Sequence, residues 1–113
     1  VGSDVPTFLG TGTEDYGRMG KGNRPTTYTM ERLSGGGDVP RYFLNIEKGD
    51  HAFGGAIHRV QPGKTPDLLG LAIFNHCALA FLDATLKGSD AAAAFLDQDF
   101  AALTAGRAEL TTP

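Results

Sequence analysis

The segment from Leu68 to Leu82 most constrains how this chain can fold, because none of its residues carries a charge. Thr65 and Pro66 precede it with residues suited to the start of a helix, Thr65 as the cap. Lys87 and Gly88 follow it with residues suited to a helix end. The sequence therefore predicts one long helix that is apolar around nearly its whole circumference and must be covered on several sides.

A membrane span is the first alternative for such a helix. The uncharged segment is shorter than the roughly 20 residues that a span needs. Asn75 and His76 interrupt it, and Asp83 would cost about 3 kcal/mol at the centre of a bilayer. We therefore expect a buried helix and no membrane span.

Two short apolar segments earlier in the chain predict β-strands, at Val5–Leu9 and Arg41–Ile46. Gly10 and Gly12 follow the first segment and are expected to let the chain turn off the sheet. A helix is predicted between the two strands, from Pro25 to Leu33. Because strands joined through a helix pair in parallel, the order strand–helix–strand predicts a parallel pair.

The remaining elements are too few to cover the long helix. A shorter helix is predicted from Ser89 or Asp90 to Leu103, and the tail from Thr104 onward is expected to be frayed. Parallel sheets are normally covered on both faces within larger α/β layers. Residues 1–113 are therefore predicted to be one incomplete α/β domain, with parallel strands alternating with helices in a doubly covered sheet. Its other strands would come from the same or another polypeptide.

Composition excludes some classes of partner. Ten Lys and Arg residues against thirteen Asp and Glu residues give a net charge of −3, which provides no basic surface for nucleic acid. The single cysteine, Cys77, lies among apolar residues, so it is predicted to be a core residue and cannot form an internal disulfide. A small neutral substrate fits this charge balance.

Two chemically active side chains follow the predicted strands. Asp15 comes just past the first strand and His51 just past the second. The carboxyl ends of parallel strands share one edge of the sheet, where α/β proteins bind ligands, and a right-handed crossover makes the two strands close neighbours. A carboxylate that orients an imidazole is two thirds of a hydrolytic triad, so the sequence predicts Asp15 as the acid and His51 as the base.

Other residues compete for these roles. Glu14 and Asp50 are alternative acids, although Asp50 is adjacent to His51 in the chain and poorly placed to face its ring. His58 is expected to be a loop residue and His76 a core histidine. Asp50 and the three histidines lack recognised ligand spacing, so no metal site is predicted.

The glycine-rich stretch "GTGTEDYGRMGKG" also suggests a phosphate-binding loop. It lacks the later glycine of a dinucleotide-binding loop and the Gly-Lys-Ser/Thr of a P-loop. Glu14 and Asp15 would repel a phosphate where main-chain amides should face it. We therefore expect a strand end that presents an acid rather than an anion site.

Three segments carry a resemblance to a known family: "PTFLGTGTEDYG", "YFLNIEKGDHAFGG" and "AFLDATLKGSDAAAAFL". From about residue 5 to 97 the chain resembles the C-terminal portion of an α/β-hydrolase, nearest to the esterase, lipase and dienelactone-hydrolase-like branches. The resemblance implies the same roles for Asp15 and His51. Tyr16 and Phe53 flank this pair and are expected to line an apolar substrate pocket.

The chain departs from this family in one respect, since it contains no G-x-S-x-G motif. Ser3, Ser34 and Ser89 all lie in other contexts. The resemblance implies that the nucleophilic serine and the oxyanion-hole amides precede Val1, in the same or another polypeptide. The expected function is hydrolysis of small-molecule carboxylic esters through an acyl-enzyme, without a cofactor. A non-catalytic hydrolase-like binding or assembly fragment is the alternative, and a peptidase or lactonase is a third possibility.

Overall fold

The computed structural model of the protein describes residues 5–14, 39–57 and 63–112. Its elements, in chain order, are β1 (Thr7–Gly12), β2 (Arg41–Ile46), a 3-10 turn (Phe53–Gly55), α1 (Leu68–Leu86), α2 (Asp90–Leu96), α3 (Phe100–Leu103) and β3 (Ala108–Thr111). The helix expected between residues 25 and 33 lies outside the described residues.

The three strands form one mixed sheet in the order β1-β2-β3. β1 and β2 pair in parallel, as the sequence predicts, with Thr7 opposite Arg41 and Gly12 opposite Ile46. β3 pairs antiparallel with the other edge of β2, with Leu44 opposite Leu110. The expectation of a frayed tail is therefore wrong, and the sheet among the described residues is not purely parallel.

Arg107 explains why the tail is ordered. Its carbonyl oxygen accepts the main-chain N–H of Glu47 over 2.8 Å, and its side-chain Nε donates to the carbonyl oxygen of Glu47 over 2.8 Å. Its guanidinium also forms an ion pair with Asp67, just before α1. These contacts start β3 beside the end of β2, where β3 pairs with the edge of β2.

The core lies between one face of the sheet and the helices. Leu44 and Ile46 of β2 are fully buried against Ile73 and Cys77 of α1 and Phe100 of α3. Burial raises the pKa of the Cys77 thiol to about 11. The prediction that this cysteine is a small core residue is confirmed, and its protonated thiol is a poor nucleophile. The described helices that form the core all lie on this one face of the sheet. That helices cover both faces of the sheet therefore stays a prediction.

α1 begins and ends close to the predicted positions. Its cap is Asp67 rather than Thr65, because the Asp67 carboxylate accepts the N–H of Gly70 over 2.9 Å. Lys87 follows its last residue, and Gly88 adopts the left-handed conformation expected after a helix end, with φ of 66°.

Only one side of α1 is packed by the described residues. Gly70, Ile73, Cys77 and Ala80 are buried. The exposed fraction is 48–76% for five leucines elsewhere on the helix, namely Leu68, Leu69, Leu79, Leu82 and Leu86. Among the described residues, this is the one helix long and apolar enough by composition to cross a membrane. The expectation that the chain's own elements are too few to cover this helix stays a prediction.

The helix predicted from Ser89 to Leu103 is divided in two. Ser89 caps α2 by accepting the N–H of Ala92 over 3.2 Å, and Asp99 caps α3 by accepting the N–H of Ala102 over 3.2 Å. The second cap starts a new helix, which turns Phe100 into the core. Ser89 is thus a capping residue, consistent with its exclusion as a nucleophile.

A matched pair of leucines tests this description of the core. Leu44→Ala should lower the free energy of unfolding by about 2–5 kcal/mol, because it leaves a cavity at a fully buried position. Leu79→Ala, at a position that is 59% exposed, should change it by less than about 1 kcal/mol. Urea unfolding of the 113-residue chain measures both, and equal losses would contradict the packing described.

Candidate active site

The loops that follow β1 and β2 are bonded to each other. The N–H of Thr13 donates to the carbonyl oxygen of Ile46 over 3.0 Å, and that of Glu14 donates to Gly49 over 2.9 Å. The Thr13 hydroxyl accepts the main-chain N–H of Lys48 over 2.7 Å. The carboxyl ends of the two strands therefore form one continuous edge, as the parallel pairing requires.

Two glycines of β1 permit this close approach. A Cβ atom at Gly12 would lie 2.0 Å from the carbonyl oxygen of Gly49, and one at Gly10 would lie 2.4 Å from a ring carbon of Phe74. Both glycines lie within β1, so the expectation that they turn the chain off the sheet is wrong. Because they lack a side chain, the loop after β2 can lie against Gly12 and the Phe74 ring of α1 can lie against Gly10.

The proposed base follows β2, as the sequence predicts, and the His51 side chain is exposed. Asp15 and Tyr16 lie outside the described residues. Glu14, which immediately precedes Asp15, is bonded to Gly49 in the loop that carries the histidine. The structure thus brings the two loops together as far as Glu14, and the meeting of Asp15 with His51 stays a prediction.

His51 borders a cavity of about 240 Å³ at this edge. Phe53 and Ile57 line it from the same loop, Phe74 lines it from α1, and Gly10 lines it from β1. The rings of Phe53 and Phe74 have centroids 5.9 Å apart. Phe53 thus lines a cavity beside the histidine, and its contact with a substrate stays a prediction.

The loop that carries His51 has an unusual main chain. Phe53, Gly54 and Gly55 all adopt left-handed conformations, with φ of 51°, 66° and 99°. Such a conformation is uncommon for a bulky residue and persists where surrounding contacts fix it. Here the carbonyl oxygen of Phe53 accepts the N–H of Asp67 over 2.8 Å. A Cβ atom at Gly54 would lie 2.1 Å from the carbonyl oxygen of Thr65.

Asp50 supplies further contacts to this loop. Its Oδ1 accepts the N–H groups of Ala52 and Gly54 over 3.2 and 2.7 Å, and its Oδ2 accepts the Lys64 ammonium over 2.7 Å. Burial acts to raise the pKa of this carboxyl group, but the hydrogen bonds and the charge of Lys64 outweigh burial and lower it. Asp50 therefore stays ionised and has donors at both oxygens.

Sequence reasoning considered Asp50 as a rival acid and as a metal ligand, and it missed the contacts of Asp50 with the loop. A signal was available, because Asp commonly accepts main-chain N–H groups a few residues ahead in the chain. The segment "GDHAFGG" places Asp50 before two glycines that can adopt left-handed conformations.

The other candidate groups do not gather near His51 in the described part of the chain. His76 is exposed on α1, so the expectation of a core histidine is wrong. His58 lies outside the described residues. Among those residues, no cluster of three or more His, Cys, Asp and Glu side chains could hold a metal ion.

The contact between Gly12 and Gly49 can be tested by adding one methyl group. Gly12→Ala should lower the free energy of unfolding by about 3 kcal/mol, because the new Cβ meets main-chain atoms that cannot rotate away. Gly10→Ala is the matched control, since its new Cβ meets the Phe74 ring, a side chain that can shift. Urea unfolding should show the larger loss for Gly12→Ala, and the reverse order would contradict the contact.

The ionisation of Asp50 predicts a pH dependence of stability. Because its pKa is lowered from 3.8 in the folded protein, the carboxylate contributes stability above about pH 4, and this is lost as the pH falls through the folded-state pKa. The stability difference between the wild type and Asp50→Asn should therefore shrink on acidification from pH 7 to pH 3. Urea unfolding across this range measures it, and a constant difference would contradict the assignment.

Comparisons of the chain with models of known families, with curated proteins and with solved structures find no match.

Proposed function

We infer that this chain is the C-terminal part of an α/β-hydrolase that cleaves small-molecule carboxylic esters through an acyl-enzyme. One observation carries the inference: an exposed histidine borders an apolar cavity at the joined carboxyl ends of two parallel strands. In open α/β sheets this edge is where ligands bind. The order of acid and histidine after successive strands supports the same scaffold.

In this mechanism His51 is the base and then the acid. Its imidazole takes the proton of a serine hydroxyl as the serine oxygen attacks the ester carbonyl, and it gives that proton to the departing alcohol. It then takes a proton from water, whose oxygen attacks the acyl-enzyme, and returns the proton to the serine. Asp15 holds the imidazole in the correct orientation and stabilises its charged form. The serine and the oxyanion-hole amides come from the rest of the fold.

The cavity indicates the kind of group that the ester carries. An apolar cavity of roughly 150 Å³ is large enough to bind benzene. The cavity beside His51, at about 240 Å³, has room for a phenyl-sized group or a short acyl chain. Phe53 and Phe74 provide its aromatic walls, and Tyr16 is proposed to add to them. The substrate class is therefore an ester with a small apolar substituent.

Two further features support a larger fold around this chain. β1 pairs only with β2 among the described strands, which leaves its other edge for a further strand. The exposed leucines of α1 offer an apolar surface for a neighbouring element. The remaining N-terminal portion of the hydrolase, in the same or another polypeptide, would fill both positions.

The same exposed leucines favour a second candidate, a non-catalytic hydrolase-like fragment that binds or assembles with another protein. Labelling by a fluorophosphonate separates the two candidates, because it reacts with an activated serine. The enzyme predicts a labelled serine in the complete, folded protein. Absence of labelling in that sample would favour the assembly fragment.

Replacement of the base tests the enzyme directly. In the complete protein, His51→Gln should lower kcat/KM for p-nitrophenyl esters by at least roughly a thousandfold, because the serine loses its proton acceptor. His76→Gln is the control, since it changes an exposed histidine on α1 and should leave the rate near that of the wild type. Circular dichroism checks that both variants fold. A folded His51→Gln variant with wild-type turnover would exclude the proposed role.

A further inference from the structure

We propose that Asp50 is a positioning residue for His51, and that it acts by fixing the main chain of the loop that carries the imidazole. This inference rests on the proposed function, since it concerns the histidine named there as the base. Asp50 itself does not transfer a proton in the reaction. Its carboxylate instead sets where the imidazole stands relative to the cavity and to the loop after β1.

The hydrogen bonds of Asp50 join the residue before His51 to residues after it in the chain. Its Oδ1 accepts the N–H groups of Ala52 and Gly54, and its main-chain oxygen accepts the N–H of Phe53 over 3.4 Å. His51 lies between the residue that accepts these bonds and the residues that donate them. Its main chain therefore cannot rotate without breaking bonds to a charged acceptor, which are among the stronger hydrogen bonds in proteins.

The same carboxylate attaches this loop to the start of α1. Asp50 Oδ2 lies 2.7 Å from the Lys64 ammonium. Lys64 belongs to the segment that also supplies the Thr65 and Asp67 main-chain contacts to Gly54 and Phe53. The Asp50 side chain is 14% exposed, whereas that of Lys64 is 48% exposed. An ion pair so open to water contributes little, so the amide bonds carry most of the effect.

These contacts hold a conformation that the loop would otherwise leave. Phe53, as a non-glycine residue at φ of 51°, keeps a strained main chain. Asp50 accepts hydrogen bonds from Ala52 and Gly54, the residues directly before and after Phe53. Without the carboxylate, Phe53 can return to an ordinary conformation, which moves both the cavity wall and His51.

Three substitutions in the full-length protein separate these contributions. Asp50→Ala removes every side-chain acceptor and should lower kcat for a p-nitrophenyl ester by roughly 10- to 100-fold, with KM changed by less than about threefold. Asp50→Asn keeps an oxygen for the amides but cannot accept from Lys64 with its NH2 group, and should lower kcat by a smaller factor. Lys64→Met should change kcat by less than about threefold.

Measurements that do not depend on turnover test the positioning itself. In NMR spectra, the imidazole resonances of His51 should shift in Asp50→Ala, and hydrogen exchange of the Gly54 amide should become roughly tenfold faster. Asp50→Asn should change the His51 resonances and the Gly54 exchange in the same direction, but by smaller amounts. If Asp50→Ala does not fold, Asp50→Asn tests the positioning role. Asp99→Ala is the matched control, because it removes a comparable cap from α3 and should leave the His51 resonances unchanged.

The outcomes separate the two proposals. Unchanged His51 resonances and unchanged Gly54 exchange in folded Asp50 variants would overturn the positioning role, whatever the rate of ester hydrolysis. An inactive wild-type protein whose His51 resonances shift in the Asp50 variants would remove the proposed ester hydrolysis and retain the positioning of the histidine.

Discussion

The main chains of the two parallel strands meet at their carboxyl ends, and the candidate site depends on this contact. Only a hydrogen atom fits between Gly12 and the carbonyl oxygen of Gly49, so the loop after β2 lies directly against β1. The bond from Glu14 to Gly49 then joins the two loops. Any side chain at Gly12 would separate the loop of His51 from the loop that leads to Asp15. Gly10 and Gly12 therefore permit the close approach of Phe74 and of the loop after β2.

The long helix places a second constraint on the molecule. α1 buries one side against the sheet, yet five of its leucines remain largely exposed. Exposed apolar surface costs roughly 25 cal/mol per Å², so these leucines are favoured where another element covers them. One edge of β1 has no partner among the described strands, so it is also open to pairing with a further strand. A larger sheet with its own helices would cover the leucines of α1 and pair with the edge of β1. Both features therefore support the same proposed scaffold.

Sequence reasoning succeeded where local signals were strong. β2 is confirmed at Arg41–Ile46, because a run of aromatic and branched residues followed a turn signal. α1 is confirmed within a few residues, because Pro66 and Gly88 mark its ends. β3 was missed, since a four-residue strand depends on the distant edge of β2 and on the contacts of Arg107.

Helix orientation and loop conformation were harder to predict. A helix that is apolar on every side does not reveal which side is buried, so His76 was placed in the core although it is exposed. The position of His51 after β2 could be predicted from strand order alone. The left-handed turn at Phe53 could not, because it depends on contacts with Asp50, Thr65 and Asp67 that only the folded chain brings together.

The proposed mechanism assigns Asp50 and Asp15 different tasks in placing His51. Asp50 precedes the histidine in the chain, and its oxygens already receive two amides and an ammonium group, so it is suited to shaping the main chain. A partner for the imidazole must instead approach from across the sheet edge, and the loop that continues from Glu14 to Asp15 is the one bonded to the histidine loop. In the proposed mechanism, Asp50 fixes the main chain and Asp15 pairs with the imidazole. An acid adjacent to the histidine can in this way position it without being the acid of the proposed triad.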